Sequence, residues 1–387
     1  MGNVYVTGYY TDSAITIGST VLINKGLNDI FIIKYDTNGN VIWAKEAGGA
    51  THDIANFIAI DRSNNVYITG AFYSHILVFG QDTLYDDTTL YNKSDLFLAK
   101  YDSNGNPLWA LRSGGSSYEA GTSVITCAND NVCLSGYFCS PTITFGTTTL
   151  MQSGGAGNGG EDIFITRFDG SGNVLWAERA GGLGKDWGSC LASDANNNVY
   201  LVGGFDSDSI QFGSIVLVKP IANCNIACDP AFIAKYDSTG NVLCADALSS
   251  GGDDIIAVAT DAFNNAYISG DFLADPFIVG TDTLILTGTE AIFTSKYHCA
   301  GTTSIDEPEY DHNILIYPNP FSDKINITTK RNEPVEIILW DITSRKLLQQ
   351  SFTNSITLST AQLSKGIYLY EVINSKGIIK KGKVVKE

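Results

Sequence analysis

One phrase returns five times along this chain at nearly constant spacing. It runs Asp29-Ile-Phe-Ile-Ile-Lys-Tyr-Asp36, then Asp95-Leu-Phe-Leu-Ala-Lys-Tyr-Asp102 and Asp162-Ile-Phe-Ile-Thr-Arg-Phe-Asp169, with looser copies around Phe232 and Phe293. The anchors Phe31, Phe97, Phe164, Phe232 and Phe293 lie 66, 67, 68 and 61 residues apart. A fixed period with constant internal grammar means one supersecondary unit packed against copies of itself.

Each unit holds four short apolar or alternating runs. In the clearest copy these are Phe57–Asp61, Asn65–Gly70, Leu96–Tyr101 and Pro107–Ala110. β-branched and aromatic residues at these lengths predict strands. Asp61–Asn65 and Asp102–Asn106 supply the Asp, Asn and Gly that tight turns require. A smaller hairpin, marked by Phe79-Gly80, Phe145-Gly146 and Phe212-Gly213, interrupts each unit. Four antiparallel strands per unit, repeated radially, predict an all-β protein with a β-propeller of about five blades over residues 1–301. Trp43, Trp109 and Trp176 fall 12 residues after their anchors, with Cys244 in the fourth slot. A ring at a fixed place is expected as a wedge between neighbouring blades. The first copy opens at Gly2 without its first strand, so the natural chain is expected to begin upstream, with that strand and a signal peptide.

Charge is uneven. From Ile305 onward there are 11 Lys plus Arg against 10 Asp plus Glu, and the preceding residues carry 13 against 31. That acidity argues against nucleic acid as a partner. No run of 18 apolar residues predicts a membrane span. All eight cysteines precede the tail. Cys127 and Cys133 bracket a turn and Cys224 and Cys228 share a loop, so both pairs are candidate disulfides; the spacing does not suit zinc.

Chemistry is sparse. The histidines His52, His75, His298 and His312 form no nucleophile system, and no phosphate loop, dinucleotide fingerprint or nucleophile elbow occurs. No cofactor, metal site or catalytic residue is assigned. Asp36, Asp102, Asp169 and Asp237 share one slot, and Asp61, Asp194 and Asp261 another, as turn formers do. Asp53, Glu119, Asp186 and Asp253, read as isolated acids in variable loops, are the better candidates for a carboxylate pair acting on glycosidic bonds. Asp36–Gly39 and Asp102–Gly105 resemble the start of a calcium loop but lack its later ligands, and are read as hairpin turns.

After Tyr297 the grammar stops. Residues 302–313 have linker composition, and residues 314–387 hold several short alternating runs that predict a small immunoglobulin-like β-sandwich. The marks of this tail are Tyr317, Pro318, Asn319 and Pro320, then Gly366 and Tyr368 in Leu363–Tyr368, and the basic finish of Lys380, Lys381 and Lys383. Together and in this order they resemble the C-terminal sorting domain of Bacteroidetes proteins exported by type IX secretion. The resemblance implies the type IX outer-membrane machinery as partner, and a secreted or outer-membrane surface location. The repeats resemble the bacterial β-propeller repeat of such surface proteins, which implies fold and exterior location but no particular activity. The expected function is a non-enzymatic binding or adhesion module for polysaccharide or another surface. The alternative is a secreted polysaccharide-acting enzyme using loop carboxylates.

Overall fold

The computed structural model describes residues 2–86, 93–154, 160–219, 229–248, 254–272, 277–279, 282–284, 291–297, 314–329, 333–341, 345–374 and 377–386. It divides into two compact units, Met1–Thr302 and Thr303–Glu387. Apart from one short 3-10 turn at Ala128–Asp130, the regular structure described is all β.

In the first unit the second repeat forms one antiparallel sheet from four strands. They are Asp53–Ile60, Val66–Phe72, Asp95–Tyr101 and Pro107–Ser113, paired in chain order. The third repeat repeats that order with Glu119–Thr126, Val132–Phe138, Asp162–Phe168 and Val174–Gly181. The fourth does so with Asp186–Ser193, Val199–Phe205, Ala231–Tyr236 and Val242–Ala247. The first repeat shows three strands, Val4–Tyr10, Asp29–Tyr35 and Val41–Ala47. The fifth shows Asp254–Thr260, Ala266–Phe272 and Ala291–Tyr297. Small hairpins such as Ile76–Phe79 with Asp82–Tyr85 sit between the second and third strands, as expected from the Phe-Gly marks.

Burial explains why these strands read as continuous rather than alternating. Every residue of Val66–Phe72, Asp95–Tyr101 and Asp162–Phe168 is buried, so both sheet faces are covered. The fourth strands are only half-buried. Each fully buried Phe, such as Phe97, Phe164 or Phe232, contributes roughly 2–3 kcal/mol of apolar transfer.

Neighbouring sheets meet along their first strands. Each of these strands carries a bulge, between Ala55 and Phe57, Gly121 and Ser123, Gly188 and Cys190, and Ile255 and Ala257. A bulge redirects the extra residue out of the ladder. Asn56 Nδ2 thereby donates to the Gly121 carbonyl at 2.9 Å, and Thr122 Oγ1 to the Gly188 carbonyl at 2.7 Å. Thr126 and Thr260 donate in the opposite sense, to Ile60 and Ser193.

The tryptophans act as the wedges expected of them. Their indole N–H groups donate into the turn of the next repeat: Trp43 to Ser103 at 3.2 Å, Trp109 to Gly170 at 3.3 Å and Trp176 to Ser238 at 3.1 Å. A glycine must lie under the ring. At Gly105, with φ +79°, an added Cβ would come within 2.9 Å of Trp43.

The second unit is two antiparallel sheets. One contains Leu315–Tyr317, Lys324–Thr328 and Ser355–Ser359, and the other Lys346–Phe352, Val335–Asp341, Gly366–Asn374 and Gly377–Lys386. Both contribute to one core that includes Ile325, Ile327, Leu358, Ile337, Tyr370 and Val384.

Candidate functional site

The first unit has two chemically different ends. At one, the first strand of a sheet begins and the second finishes. Asp53, Glu119 and Asp186 open their strands there, each 0% exposed. They are not isolated loop acids, contrary to the sequence reading: they occupy one slot at the repeat spacing, and each carboxylate clamps two loops. Asp53 accepts from Gly49 N at 2.7 Å and from Ser74 Oγ at 2.8 Å. Asp186 accepts from Gly182 N at 2.6 Å and Ser207 Oγ at 2.8 Å. Glu119 accepts from Gly115 N at 3.0 Å and Ser140 N at 3.1 Å. Asp253, the fourth candidate, lies outside the described residues.

Burial dominates the electrostatics of these clamps and outweighs their hydrogen bonds. It pushes Asp53 and Asp186 up to about 6 and raises Glu119 as well. Asp29, Asp95 and Asp162 form a second buried row at the start of the third strands. Asp95 is paired with Arg112 at 2.7 Å and Asp162 with Arg179 at 2.8 Å.

The backbone around the clamps is constant. Asp53 N donates to Asn28 O at 2.8 Å, Glu119 N to Ser94 O at 2.9 Å and Asp186 N to Glu161 O at 2.8 Å. Tyr73 N donates to His52 O, Cys139 N to Tyr118 O and Asp206 N to Lys185 O, at 2.8, 2.9 and 2.7 Å. The side chains on that frame differ from repeat to repeat. His52, Tyr118 and Lys185 occupy one slot and are all exposed; Tyr73, Cys139 and Asp206 occupy the other. His52 meets Tyr73 edge to face at 6.2 Å, and Lys93 Nζ lies 4.4 Å from the centre of the Tyr118 ring.

At the opposite end the hairpin turns repeat one design. Asp102 accepts from Asn104 N, Asn106 N and Asn106 Nδ2, all at 2.8–2.9 Å. Asp36, Asp169, Asp61, Asp194 and Asp261 do the same. These donors hold Asp36 and Asp169 below the usual carboxylate range, and Asp261 at about 2. They are hairpin turns, as the sequence indicates.

Cys127 and Cys133 are brought together but stand as separate thiols, their sulfurs 3.1 Å apart. Cys224 and Cys228 lie outside the described residues. His52 is at the clamp end; His298 and His312 are outside the described residues.

In the second unit the sequence marks converge on one edge. Tyr317, Pro318, Asn319 and Pro320 are exposed, with cis bonds preceding both prolines. Asn319 Oδ1 accepts from Val385 N at 2.9 Å, and Phe321 N donates to the Val385 carbonyl at 2.8 Å. The segment is thus strapped to the last strand, whose Lys383 is exposed. Gly366 is exposed with φ +152°, while Tyr368 is buried, donates to Ser364 O at 2.5 Å and lies 6.3 Å from Phe321. Lys380 donates to the Ile314 carbonyl. The Lys381 side chain lies outside the described ones. Lys386, not singled out in the sequence, is a buried cation, donating to Thr360 O at 2.6 Å. Its place in a hydrophobic alternation is the signal that could have found it.

Residues 315–387 match the family described as the secretion system C-terminal sorting domain. An uncharacterised WD repeat-containing protein of Acanthamoeba polyphaga mimivirus is 34% identical over 154 residues, 37% of this chain and 11% of that protein. The regulatory protein FlaEY of Caulobacter vibrioides is 29% identical over 147 residues, 36% of this chain and 15% of that protein. The chain therefore spans only a small part of the length of these relatives. Among solved structures, the extracellular domain of a putative one-component system from B. thetaiotaomicron matches with TM-score 0.26 and 11% identity, over 99% of this chain and 56% of that one. Dimeric latent PorU from Porphyromonas gingivalis matches with TM-score 0.18 and 10% identity, over 94% and 32%. Among the described residues no helix is long and apolar enough to cross a membrane. Residues 315–387 thus carry a secretion-system C-terminal sorting domain, which implies interaction with the type IX secretion machinery, and the chain is a secreted or surface-attached protein.

Proposed function

We propose that residues 1–301 are a β-propeller of about five blades, joined through residues 302–313 to an immunoglobulin-like sorting domain at 314–387. The propeller is a non-enzymatic module that binds polysaccharide or another surface through the loops at its clamp end. What carries this reading is the contrast within that end: a backbone frame repeated bond for bond presents His52, Tyr118 and Lys185, and Tyr73, Cys139 and Asp206, at equivalent places. A rigid scaffold with varied exposed side chains is how loops acquire recognition. The propeller reading is supported by the shared strand order, by the first strands bonded side by side, and by a relative named for WD repeats. The enzyme reading loses support because Asp53, Glu119 and Asp186 are engaged by loop donors and buried.

The test is a glycan array run beside a reducing-sugar assay on the full chain. Binding without sugar release is expected. His52→Ala with Tyr118→Ala should weaken it about tenfold, roughly 1.4 kcal/mol. Phe263→Ala, at the turn end, should leave it unchanged. Sugar release lost on Asp186→Asn in a still-folded chain would overturn the reading. For the tail, a periplasmic reporter fused to residues 302–387 should reach the surface of a type IX-competent host. Asn319→Ala with Lys383→Glu should strand it in the periplasm.

A further inference from the structure

Three repeats close their first turn with the same trio, and the third repeat replaces all three members. In the second repeat Tyr67 Oη donates to Asp61 at 3.3 Å while Lys100 Nζ sits 5.0 Å from the Tyr67 ring centre. In the fourth, Lys235 lies 4.7 Å from the Tyr200 ring and 3.1 Å from Asp194. In the fifth, Tyr267 donates to Asp261 at 3.1 Å beneath Lys296. The corresponding residues of the third repeat are Cys127, Cys133 and Arg167. The two sulfurs lie 3.1 Å apart where the sister turns place a carboxylate and a phenol.

The surroundings divide labour between the thiols. Cys127 is partly buried at the turn and Cys133 is fully buried behind it. Arg167 is 1% exposed; its Nη1 donates to the Asn197 and Ser238 carbonyls at 3.4 and 3.3 Å, while its Nε and Nη2 have no hydrogen-bond partner among the described residues. A buried cation left in this way favours an anion nearby. The hydrogen bond from Cys133, together with the Arg167 charge, lowers the Cys127 pKa, whereas burial raises Cys133 and pushes Cys139 up to about 12.

We propose that Cys127 and Cys133 form a thiol–disulfide exchange site whose substrate is an external disulfide. The Cys127 thiolate attacks one sulfur of that disulfide, forming a mixed disulfide and expelling the first thiolate. Cys133 then gives up its proton and attacks Cys127 Sγ. An internal S–S bond forms, and the second leaving thiolate takes the proton. Two protein thiols are oxidised and one external disulfide is reduced to two thiols. The internal bond then locks the turn that its sisters lock with Asp and Tyr.

The experiment uses the full chain, reduced and freed of reductant, then treated with glutathione disulfide. Peptide mapping without reductant should find Cys127 joined to Cys133, with no glutathione retained there. Cys133→Ser should instead hold one glutathione on Cys127, and Arg167→Met should slow its capture about tenfold. Cys127→Asp with Cys133→Tyr and Arg167→Lys, which restores the sister trio, should fold and show no reaction at this turn. A glutathione adduct that persists on wild-type Cys127, or a pair that stays reduced while Cys139 reacts, would overturn the proposal.

Discussion

The two ends of each repeat use the same residue type in opposite ways. At the clamp end Asp53, Glu119 and Asp186 are buried, and desolvation raises their pKa despite several donors. At the turn end Asp36, Asp169 and Asp261 meet a similar number of donors near solvent, and their pKa falls. The hydrogen bonds are alike; water access differs. An aspartate that recurs at every repeat therefore tells little about its chemistry until its burial is known.

The largest expected effect is on stability against pH. For Asp53 and Asp186 the folded pKa of about 6 lies above the ordinary 3.8, so the folded chain holds more protons between those values. Their contribution is complete below about pH 4 and is lost as pH rises through 6, by at most about 3 kcal/mol for each group. Asp261, at about 2, has the opposite sign: its contribution is present above 3.8 and lost as pH falls through 2. Urea unfolding from pH 2 to 8 should give a maximum near pH 4–5. Asp53→Asn with Asp186→Asn should flatten the limb above it and leave the acid limb in place. A limb that stays steep in this variant would mean the clamps are not what titrates.

The next effect compares one residue from each end. Asp186→Ala orphans the Gly182 N–H and the buried Ser207 hydroxyl, and should cost about 2–3 kcal/mol. Asp169→Ala leaves its donors free to meet water and should cost about 1 kcal/mol. Denaturation midpoints at pH 7 measure both. Equal losses would erase the distinction between the two ends.

Much of this is legible in the sequence. The period, the hairpin turns, the Phe-Gly hairpins and the tryptophan wedges all follow from residues with strong local preferences or a fixed aromatic slot. The clamps escaped because Glu119 interrupts an otherwise uniform Asp row, and because a polar residue announces neither burial nor partner. The serines did carry the signal: Ser74, Ser140 and Ser207 recur at the same spacing as the acids they bind. The Tyr317–Pro320 segment was legible as a motif, while its strap to Val385 depends on a pairing 66 residues away.

The smallest effect asks whether the turn-end asparagines also join repeats. Asn64, Asn197 and Asn264 share one slot and a left-handed backbone, with φ 63°, 67° and 65°. Asn197 Oδ1 accepts from Ala128 N at 3.1 Å and Asn264 Oδ1 from Ala195 N at 2.8 Å, each in the preceding repeat. Asn64 makes no such bond among the described residues. Glycine tolerates this conformation, so Asn64→Gly tests the backbone alone and should change stability by less than about 0.5 kcal/mol. Asn197→Gly adds the loss of the bond to Ala128 and should cost about 1 kcal/mol more. Because the conformational cost is shared, the difference between the two variants isolates the inter-repeat bond. A difference of zero would leave the tryptophans and the first strands as the joints between repeats, and these asparagines would act only within their own turns.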